Sequence, residues 1–277
     1  MMRISTIRPR TEVHYRNRQT GEIVSETIFS EGTLRWFYED PIGAKVFTYA
    51  LNNQVFWWLY GKWQDGPWSR SKIKPFVNQY GINVEEAELP LHQYRSFNAF
   101  FSRRLKPDAR PWSTESELFC APSDGKVLVY PQLEEGTRLP VKGSYITLES
   151  LLTCQNSAKS YHGGSALIVR LAPVDYHRFH FPDDGKAGPA KKIKGRYHSV
   201  NPIALAKVPD LYCRNKRAVT KLFSRHFGRI AYVEVGAITV GSIIQTYTSG
   251  PVSRGQEKGY FRYGGSGVTF RAGSHQI

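Results

Sequence analysis

The sequence predicts an α+β protein in which a helical N-terminal part is followed by a mainly antiparallel β domain. Two observations lead to this prediction. From Leu34 to about Leu105 the apolar residues recur at helical spacing. The following part instead contains short β-branched runs separated by Gly, Pro and Asp. With no internal repeat and no low-complexity segment, we predict two domains, residues 1–112 and residues 113–277.

The composition is that of a folded protein with a strong positive charge. Lys and Arg outnumber Asp and Glu by 38 to 23, which gives a net charge of +15. Such a charge favours an anionic partner, which can be nucleic acid, an anionic membrane surface or a negatively charged substrate. The N-terminal residues contain no apolar core of signal-peptide length, so we expect a cytosolic protein. Neither a disulfide framework nor a zinc ribbon is expected from the three cysteines, which form no CxxC pair: Cys120, Cys154 and Cys213.

Two apolar segments of the N-terminal part, residues 42–51 and 55–60, are separated by the polar residues 52–54. Pro41 stands where the first turn of a helix accepts proline. Neither segment reaches the about 18 to 20 apolar residues that a membrane-spanning helix needs. The pattern predicts either an amphipathic helix at a membrane surface or a core helix packed on the next domain. In the first case aromatic side chains lie at headgroup depth and basic ones face anionic lipid; these are Trp57, Trp58, Tyr60 and Trp63, with Lys45, Lys62, Arg70, Lys72 and Lys74.

A shorter helix is predicted to close the N-terminal part. Ser96 occupies a cap position, apolar residues follow at helical spacing through Leu105, and Pro107 marks the stop. A later run, residues 234–243, alternates small and apolar residues, which is typical of a strand that another backbone or a ligand approaches closely. Strands are also predicted in residues 125–130, 165–171 and 231–237.

Two stretches of the β part carry side chains suited to acid–base chemistry. Asp124 stands in a turn between Pro122 and Gly125 at the start of a strand, although Asp-Gly is also a common turn pair with a purely structural role. His177 and His180 are three residues apart, a spacing that points to opposite faces of a strand, so a shared metal ion is not expected. One acid–base histidine with a neighbour is favoured over a zinc site.

Near the C-terminus a serine follows two glycines, Gly264-Gly265-Ser266. Glycines tolerate positive φ and leave no side chain in the way, so the Ser266 hydroxyl can reach the carbonyl of Gly265. The same residues also fit a β-turn between two strands. The stretch therefore predicts either a turn or a self-processing site.

Asp124, His180 and Ser266 follow one another along the chain, with a glycine before the serine and no GxSxG elbow. The surrounding segments are APSDGKV, DYHRFHFP, HSVNPIAL, VEVGAITVGSI and EKGYFRYGGS. Together they closely resemble the phosphatidylserine decarboxylase proenzymes. The resemblance extends from about Tyr15 to Ser266, which is nearly the whole chain.

The resemblance implies an enzyme that first cuts itself. Asp124 would hold the imidazole of His180, His180 would take the proton of Ser266, and Ser266 would attack the Gly265 carbonyl. An N-to-O acyl shift, β-elimination and hydrolysis would then leave a pyruvoyl group on residue 266 as the cofactor. The pyruvoyl ketone would form a Schiff base with phosphatidylserine and accept the electrons released with carbon dioxide, which gives phosphatidylethanolamine.

The resemblance also implies substrate contacts and partners. His177 would support His180 or contact the substrate, and Arg178 is one of the basic groups for an anionic headgroup. The expected partners are phosphatidylserine in an anionic membrane surface and the chain's own cleaved small subunit. The expected location is peripheral, on the cytoplasmic face of the cell membrane, with residues 1–112 as the membrane-associating part. No metal and no nucleic acid are expected, and a homo-oligomer is left open.

Two departures from the family keep an alternative open. The residue after the processing serine is usually threonine, whereas this chain has Gly267, and the tail beyond Phe270 is short. A catalytically silent membrane-binding relative would have the same helices, charge and β domain without the cut. A basic β-barrel that binds nucleic acid is disfavoured, because the aromatic residues crowd around Trp57 and Trp58 instead of alternating with Lys and Arg along strands.

Overall fold

The computed structural model describes residues 14–18, 20–25, 31–51, 53–133, 139–141, 144–153, 158–200, 202–208 and 210–265. Within them the fold is α+β with mainly antiparallel sheets, which confirms the predicted class. The helices are α1 (Glu31–Glu39), α2 (Pro41–Val46), α3 (Gln54–Asp65), α4 (Ile73–Tyr80), α5 (Phe97–Phe101), α6 (Leu148–Leu152), α7 (Pro202–Lys207) and α8 (Leu211–Arg214). A π-helical segment spans Phe47–Leu51, and 3₁₀ turns span Pro67–Lys72, Val84–Glu86 and Leu91–Gln93.

The strands are short, and many consecutive ones are joined by only a few residues. They are β1 (His14–Arg16), β2 (Ile23–Ser25), β3 (Lys126–Tyr130), β4 (Leu139–Val141), β5 (Ser144–Ile146), β6 (Ala166–Arg170), β7 (Arg178–His180), β8 (Gly185–Ala187), β9 (Lys191–Ile193), β10 (Arg217–Ser224), β11 (Arg229–Val235), β12 (Val240–Gln245), β13 (Gly250–Val252), β14 (Glu257–Arg262) and β15 (Gly264–Gly265). The three predicted β runs coincide with β3, β6 and β11. The β1–β2 hairpin was not predicted from the polar N-terminal stretch; its turn uses Gly21 at a φ of +74°.

Polar caps fix where the N-terminal helices begin. Asp40 caps α2 by accepting hydrogen bonds of 2.8 and 3.0 Å from two backbone N–H groups, and Pro41 lies in the first turn as predicted. Asn53 caps α3 in the same way, accepting from Val55 N at 2.8 Å. The polar break between the two apolar segments is therefore a helix start.

The helix predicted after Ser96 is shorter than expected. Ser96 caps α5 by accepting from Ala99 N at 3.1 Å, which confirms the start. The helix ends at Phe101, however, and its predicted continuation to Leu105 is wrong. Leu105 instead forms an isolated β-bridge with Ala87, so the backbone there is extended.

The run 234–243, predicted as one strand, is the end of β11, a turn and the start of β12. Ala237 and Val240 exchange two backbone hydrogen bonds of 3.1 Å, and Thr239 between them has a φ of +64°. The predicted close approach of another backbone is found at Gly241, which pairs with Gly265 and where an added Cβ would lie 3.3 Å from the carbonyl oxygen of Gly264. The same Cβ would lie 2.3 Å from the ring of Tyr197.

Two sheets form the larger part of the β region. In one, β10 pairs with β8, β9 and β11, and β8 also pairs with β13; in the other, the order is β15-β12-β14-β7. All these pairings are antiparallel except β12 with β15, which is parallel. β14 pairs with one edge of β12. The chain then crosses the start of β12, and β15 pairs with the other edge of β12.

The crossing residue, Tyr263, joins the helical part to the sheets. Its side chain is buried in a core cluster whose other members come from α4, α5 and their flanks, namely Ile73, Phe76, Tyr94, Phe97, Phe100 and Phe101. Its ring lies edge-on to the rings of Phe101 and Phe97, with distances of 4.5 and 5.2 Å between the ring centroids. The last described strand is thus anchored in the helical core.

Helix α3 has one face packed and one face exposed. Gly61 packs against Gly264, and Trp57 is only 5% exposed. The opposite face exposes large apolar side chains, Val55, Phe56, Trp58, Leu59 and Trp63. The packed face agrees with the predicted core helix, whereas the membrane-surface interpretation stays a prediction. Its placement of Trp57 at headgroup depth is wrong, because Trp57 lies in the protein interior. Within the described ranges, each helix is too short or too polar to cross a bilayer.

Candidate functional site

The predicted processing strand is held by hydrogen bonds up to Gly264. The backbone N–H of Gly264 donates to Thr239 O at 2.6 Å, and Ser242 Oγ donates to the Gly264 carbonyl at 3.0 Å. The register pairs Gly264 with Val240 and Gly265 with Gly241. Ser266 and Gly267 lie outside the described residues. The structure therefore describes the backbone up to the residue before the predicted nucleophile.

Gly264 is in a conformation and a space that favour glycine. Its φ is +94°, and an added Cβ would lie 2.3 Å from the Cα of Gly61. A side chain at either position would separate α3 from β15. The positive φ expected of the double glycine is thus observed at Gly264, while its close packing against α3 was not predicted.

Asp124 lies in the predicted turn directly before β3. Its carboxylate accepts from the guanidinium of Arg110, with Nε at 2.9 Å from one oxygen and Nη2 at 2.7 Å from the other. Arg110 Nη1 also pairs with Glu86 at 3.0 Å. Asp124 is therefore held by a fork-shaped arginine contact that the sequence did not predict.

His180 lies at the end of β7, close to the Asp124 turn. Its backbone N–H donates to Pro122 O at 2.8 Å, and its Nδ1 lies 3.0 Å from the carbonyl oxygen of Gly255. A carbonyl only accepts, so Nδ1 carries the proton and Nε2 is the basic nitrogen. Burial lowers the pKa of His180 below its ordinary 6.5, while the Gly255 hydrogen bond opposes this shift. The ring is thus a neutral base, although its Nδ1 is held by Gly255 and not by Asp124.

Two aromatic rings and one arginine fix this arrangement. The His180 ring contacts the rings of Trp112 and Tyr176, with distances of 5.3 and 5.8 Å between the ring centroids. Gly255 has a φ of +77°, and an added Cβ would lie 2.9 Å from the Trp112 ring. The preceding residue, Arg254, donates to the buried Asp183 at 2.9 Å. The turn that supplies the Gly255 carbonyl is therefore rigidly placed.

His177 has a different environment. It is 4% exposed, and its Nδ1 donates a hydrogen bond to Asp175 O at 2.8 Å. The centroid of its ring lies 3.9 Å from that of the Phe101 ring. Burial is the main cause that lowers the pKa of His177 to about 3, opposed by the Asp175 hydrogen bond. His177 is therefore neutral at all physiological pH values. The two histidines contact different neighbours, and no cluster of metal-ligating side chains occurs within the described residues.

Arg178 connects the helical part to β14. Its Nε donates to the carbonyls of Ser102 and Arg103 at 2.9 and 3.2 Å, and Nη1 pairs with Glu257 at 2.6 Å. The guanidinium also lies over the ring of Tyr260 at 4.8 Å. These contacts favour a role in packing for Arg178 over one in substrate binding.

A cavity of about 2430 Å³ extends beside these residues. Its wall includes Asp124, His177, Thr239 and Tyr263, together with apolar side chains of β3 and β6. The sheet order places β12 and β14 between β15 and β7, so three strand spacings, about 14 Å, separate Gly265 from the strand of His180. The structure thus brings Asp124 and His177 to one cavity with Tyr263, the residue directly before β15. His180 contacts the Asp124 turn through its backbone.

Sequence reasoning missed three residues of this region. Asn98 is 1% exposed and binds the backbone of Tyr263, Arg110 binds Asp124, and Gly255 binds His180. Only Asn98 carries a local signal, since it is a polar residue in the middle of an apolar helix. The other two contacts depend on residues distant in sequence.

Comparison with known proteins shows the family of this chain. The family model described as phosphatidylserine decarboxylase matches residues 97–273. The chain belongs to the phosphatidylserine decarboxylase family. The phosphatidylserine decarboxylase proenzyme of Clostridium novyi is 44% identical over 244 residues, which is 88% of this chain and 83% of the relative. Those of Desulfitobacterium hafniense and Clostridium botulinum are 43% and 41% identical over 257 residues, with 92% of this chain covered and 86% and 87% of the relatives.

Membership of this family confirms the predicted resemblance and the predicted enzyme class, a decarboxylase, which is a carboxy-lyase. The matched region contains α5, all strands from β3 onward and the predicted processing site. The family supports the active enzyme over the silent relative. Gly267, on which that alternative depended, lies outside the described residues.

Proposed function

We propose that this chain is a phosphatidylserine decarboxylase proenzyme that cuts its own Gly265–Ser266 bond and then converts phosphatidylserine to phosphatidylethanolamine. The observation that carries the proposal is the anchored backbone through Gly264 and Gly265 in a chain of this family. Pairing with β12 and packing against Gly61 of α3 hold this backbone, and a carbonyl held at a constant position favours attack by a neighbouring hydroxyl. Ser266 is the nucleophile in this proposal.

In the proposed reaction His180 is the general base and Asp124 stabilises the imidazolium that forms. The protonated Nδ1 leaves Nε2 free to accept the hydroxyl proton. Because β7 is three strands from β15, Ser266 has to come within hydrogen-bond distance of Nε2 for the cut. His177 is the competing base, since it lines the same cavity as Tyr263.

The cofactor in this proposal is a pyruvoyl group made from Ser266, and when present it supplies the electron sink for decarboxylation. The surroundings of the strand end are compatible with a small group there. Gly264 and Gly61 leave no side chain between α3 and β15, and the cavity has both polar and apolar walls. Asp124 and His177 are among the polar groups of this cavity that would face a bound headgroup. Apolar side chains such as Val127 and Val129 would face acyl chains.

The proposal also includes the location and partners of the enzyme. We place it as a peripheral protein on the cytoplasmic face of the cell membrane, bound through the exposed apolar face of α3 and the net charge of +15. The cleaved small chain from residue 266 onward stays with the large chain. We propose residues 1–112 as the membrane-associating region and residues 113–277 as the catalytic domain.

Mass spectrometry tests the proposed cut. Protein left to mature should give a large chain ending at Gly265 and a companion peptide that begins with a blocked, borohydride-reducible residue 266. Ser266→Ala should give neither product, because alanine has no oxygen for the attack. A chain that stays intact after prolonged incubation, with Asp124, His180 and Ser266 present, would overturn the proposal in favour of the silent relative.

Sedimentation with vesicles tests the proposed membrane contact. The protein should pellet with vesicles that contain phosphatidylserine and be partly released by high salt, because salt screens charge but not apolar insertion. Leu59→Glu, on the exposed face of α3, should weaken binding more than Asn78→Glu does. Asn78→Glu is the control, because it makes the same charge change at an exposed position of α4. Equal binding of the parent to purely zwitterionic vesicles at low salt would contradict the electrostatic part.

A further inference from the structure

The crossing from β14 to β15 leaves the backbone of one residue without a strand partner. Tyr263 lies between the two strands and is buried, so its N–H and C=O need hydrogen bonds from elsewhere. One side chain supplies both. Asn98 Oδ1 accepts from Tyr263 N at 2.9 Å, and Asn98 Nδ2 lies 3.3 Å from Tyr263 O. The amide of Asn98 thus takes the place of a neighbouring strand.

The orientation of this amide is fixed by a second contact. Asn98 Nδ2 also donates to Asp65 Oδ1 at 2.9 Å, and a carboxylate can only accept, so the nitrogen has to face Asp65. Arg262, the residue before Tyr263, pairs with the same carboxylate. The end of α3, the middle of α5 and the strand crossing are therefore joined at one point.

Residues after Tyr263 depend on this point for their position. Gly264 bonds to Thr239 O and packs against Gly61, and Gly265 follows in register with Gly241. We propose that Asn98 is a positioning residue for self-cleavage, which holds Tyr263 so that the Gly265 carbonyl is presented to the nucleophile at a constant place. This inference rests on the proposed cut at Gly265–Ser266, but not on which histidine is the base.

A purely structural role would give different consequences. Asn98 lies in the same helix as Phe100, which is fully buried in the core cluster around Tyr263 but makes no hydrogen bond to the crossing. Loss of packing at either position lowers stability. Only loss of the Asn98 amide releases the Tyr263 backbone. A matched pair of variants, Asn98→Leu and Phe100→Leu, therefore separates positioning from stability.

The experiment measures cleavage and local hydrogen exchange in the full chain. At a temperature where all variants are folded, Asn98→Leu should slow the appearance of the Gly265-terminated chain by about 10- to 100-fold, the range expected when a reacting group is misplaced by about 1 Å. Phe100→Leu should lower the melting temperature yet cut within about twofold of the parent. In the uncut Ser266→Ala chain, Asn98→Leu should speed amide exchange at Tyr263 and Gly264 selectively, and Phe100→Leu should not.

A third variant tests the two hydrogen bonds between Asn98 and the Tyr263 backbone separately. Asn98→Asp keeps an acceptor for Tyr263 N–H but loses the donor to Tyr263 O and repels Asp65, so its cleavage rate should lie between those of the parent and Asn98→Leu. Parental cutting in Asn98→Leu, or equal slowing in Phe100→Leu, overturns the inference alone. A parent chain that never cuts overturns the proposed function together with the inference, and the exchange measurement then reports only whether Asn98 holds Tyr263.

Discussion

The two ends of the β7 segment give their histidines different electrostatic surroundings. His177 lies against Phe101, and its pKa of about 3 means that protonating it costs about 5 kcal/mol more than protonating an exposed histidine. Burial also lowers the pKa of His180, but the Gly255 carbonyl and the carboxylates of Glu257 and Asp124 favour its charged form. Residues 177 and 180, one before β7 and one at its end, therefore differ: His177 stays neutral and His180 can accept a proton, which supports His180 as the base.

The largest expected effect comes from removing the imidazole ring of His180, with removal of the His177 ring as the comparison. His180→Ala should slow self-cleavage by about 10²- to 10⁴-fold and leave a single chain of full mass, because a general base contributes about that much. His177→Ala should still cut, at least partly. Intact mass over time gives both rates. Normal cutting in His180→Ala together with an uncut His177→Ala would assign the base to the cavity histidine.

Substitution of Asp124 should slow self-cleavage less than removal of the His180 ring does. Asp124→Asn should slow cleavage by about 10- to 100-fold, because an amide does not stabilise an imidazolium as a carboxylate does. Glu86→Gln is the matched control, since it removes only the ion pair with Arg110 and should cut within about twofold of the parent. Equal rates for Asp124→Asn and the parent would show that the Arg110 contact makes Asp124 structural.

The pH dependence of cleavage sharpens the comparison further. His180 has to be neutral to accept a proton, and burial holds its pKa below 6.5. The rate should therefore rise with pH, reach half its maximum below pH 6.5, and stay constant from about pH 7 to 8. Glu257, Arg178 and Asp124 are the charged groups that act on this pKa. A half-maximal rate well above pH 7 would contradict His180 as the base.

His177 should contribute to folding stability instead. Its folded-state pKa of about 3 lies below the ordinary 6.5, so the unfolded chain binds a proton first and stability falls as pH decreases from 6.5 toward 3. At pH 4.5 this single group should remove about 2 to 3 kcal/mol from the free energy of unfolding relative to pH 7.

Urea unfolding of the uncut Ser266→Ala chain at the two pH values measures this loss. His177→Leu in the same background should show a smaller pH dependence, and His198, whose pKa burial lowers to about 4, should account for part of the remainder. The same loss with and without His177 would place the titrating groups elsewhere.

Local signals explain what could be predicted from the sequence. The cap at Ser96, the proline at the start of α2 and the β-branched runs each depend on a few neighbouring residues, and the structure has them where expected. The end of α5 was missed because Leu105 pairs with Ala87, a contact between segments. Asn98 and Tyr263 are 165 residues apart, so no local pattern relates them. The burial of Trp57 likewise follows from packing against β15, which helix periodicity alone does not specify.

The place of Tyr263 decides what the chain would become after the proposed cut. Among the described residues, Tyr263 is the last member of its core cluster, and the cut falls two residues later, so the large chain keeps every described side chain of that cluster. Cleavage would convert the chain from residue 266 onward from a covalent extension into a ligand. Its occupancy would follow mass action, set by concentration and affinity. Dilution of the mature protein would therefore lower its activity, because the chain that carries the proposed cofactor would dissociate. The large chain would stay folded.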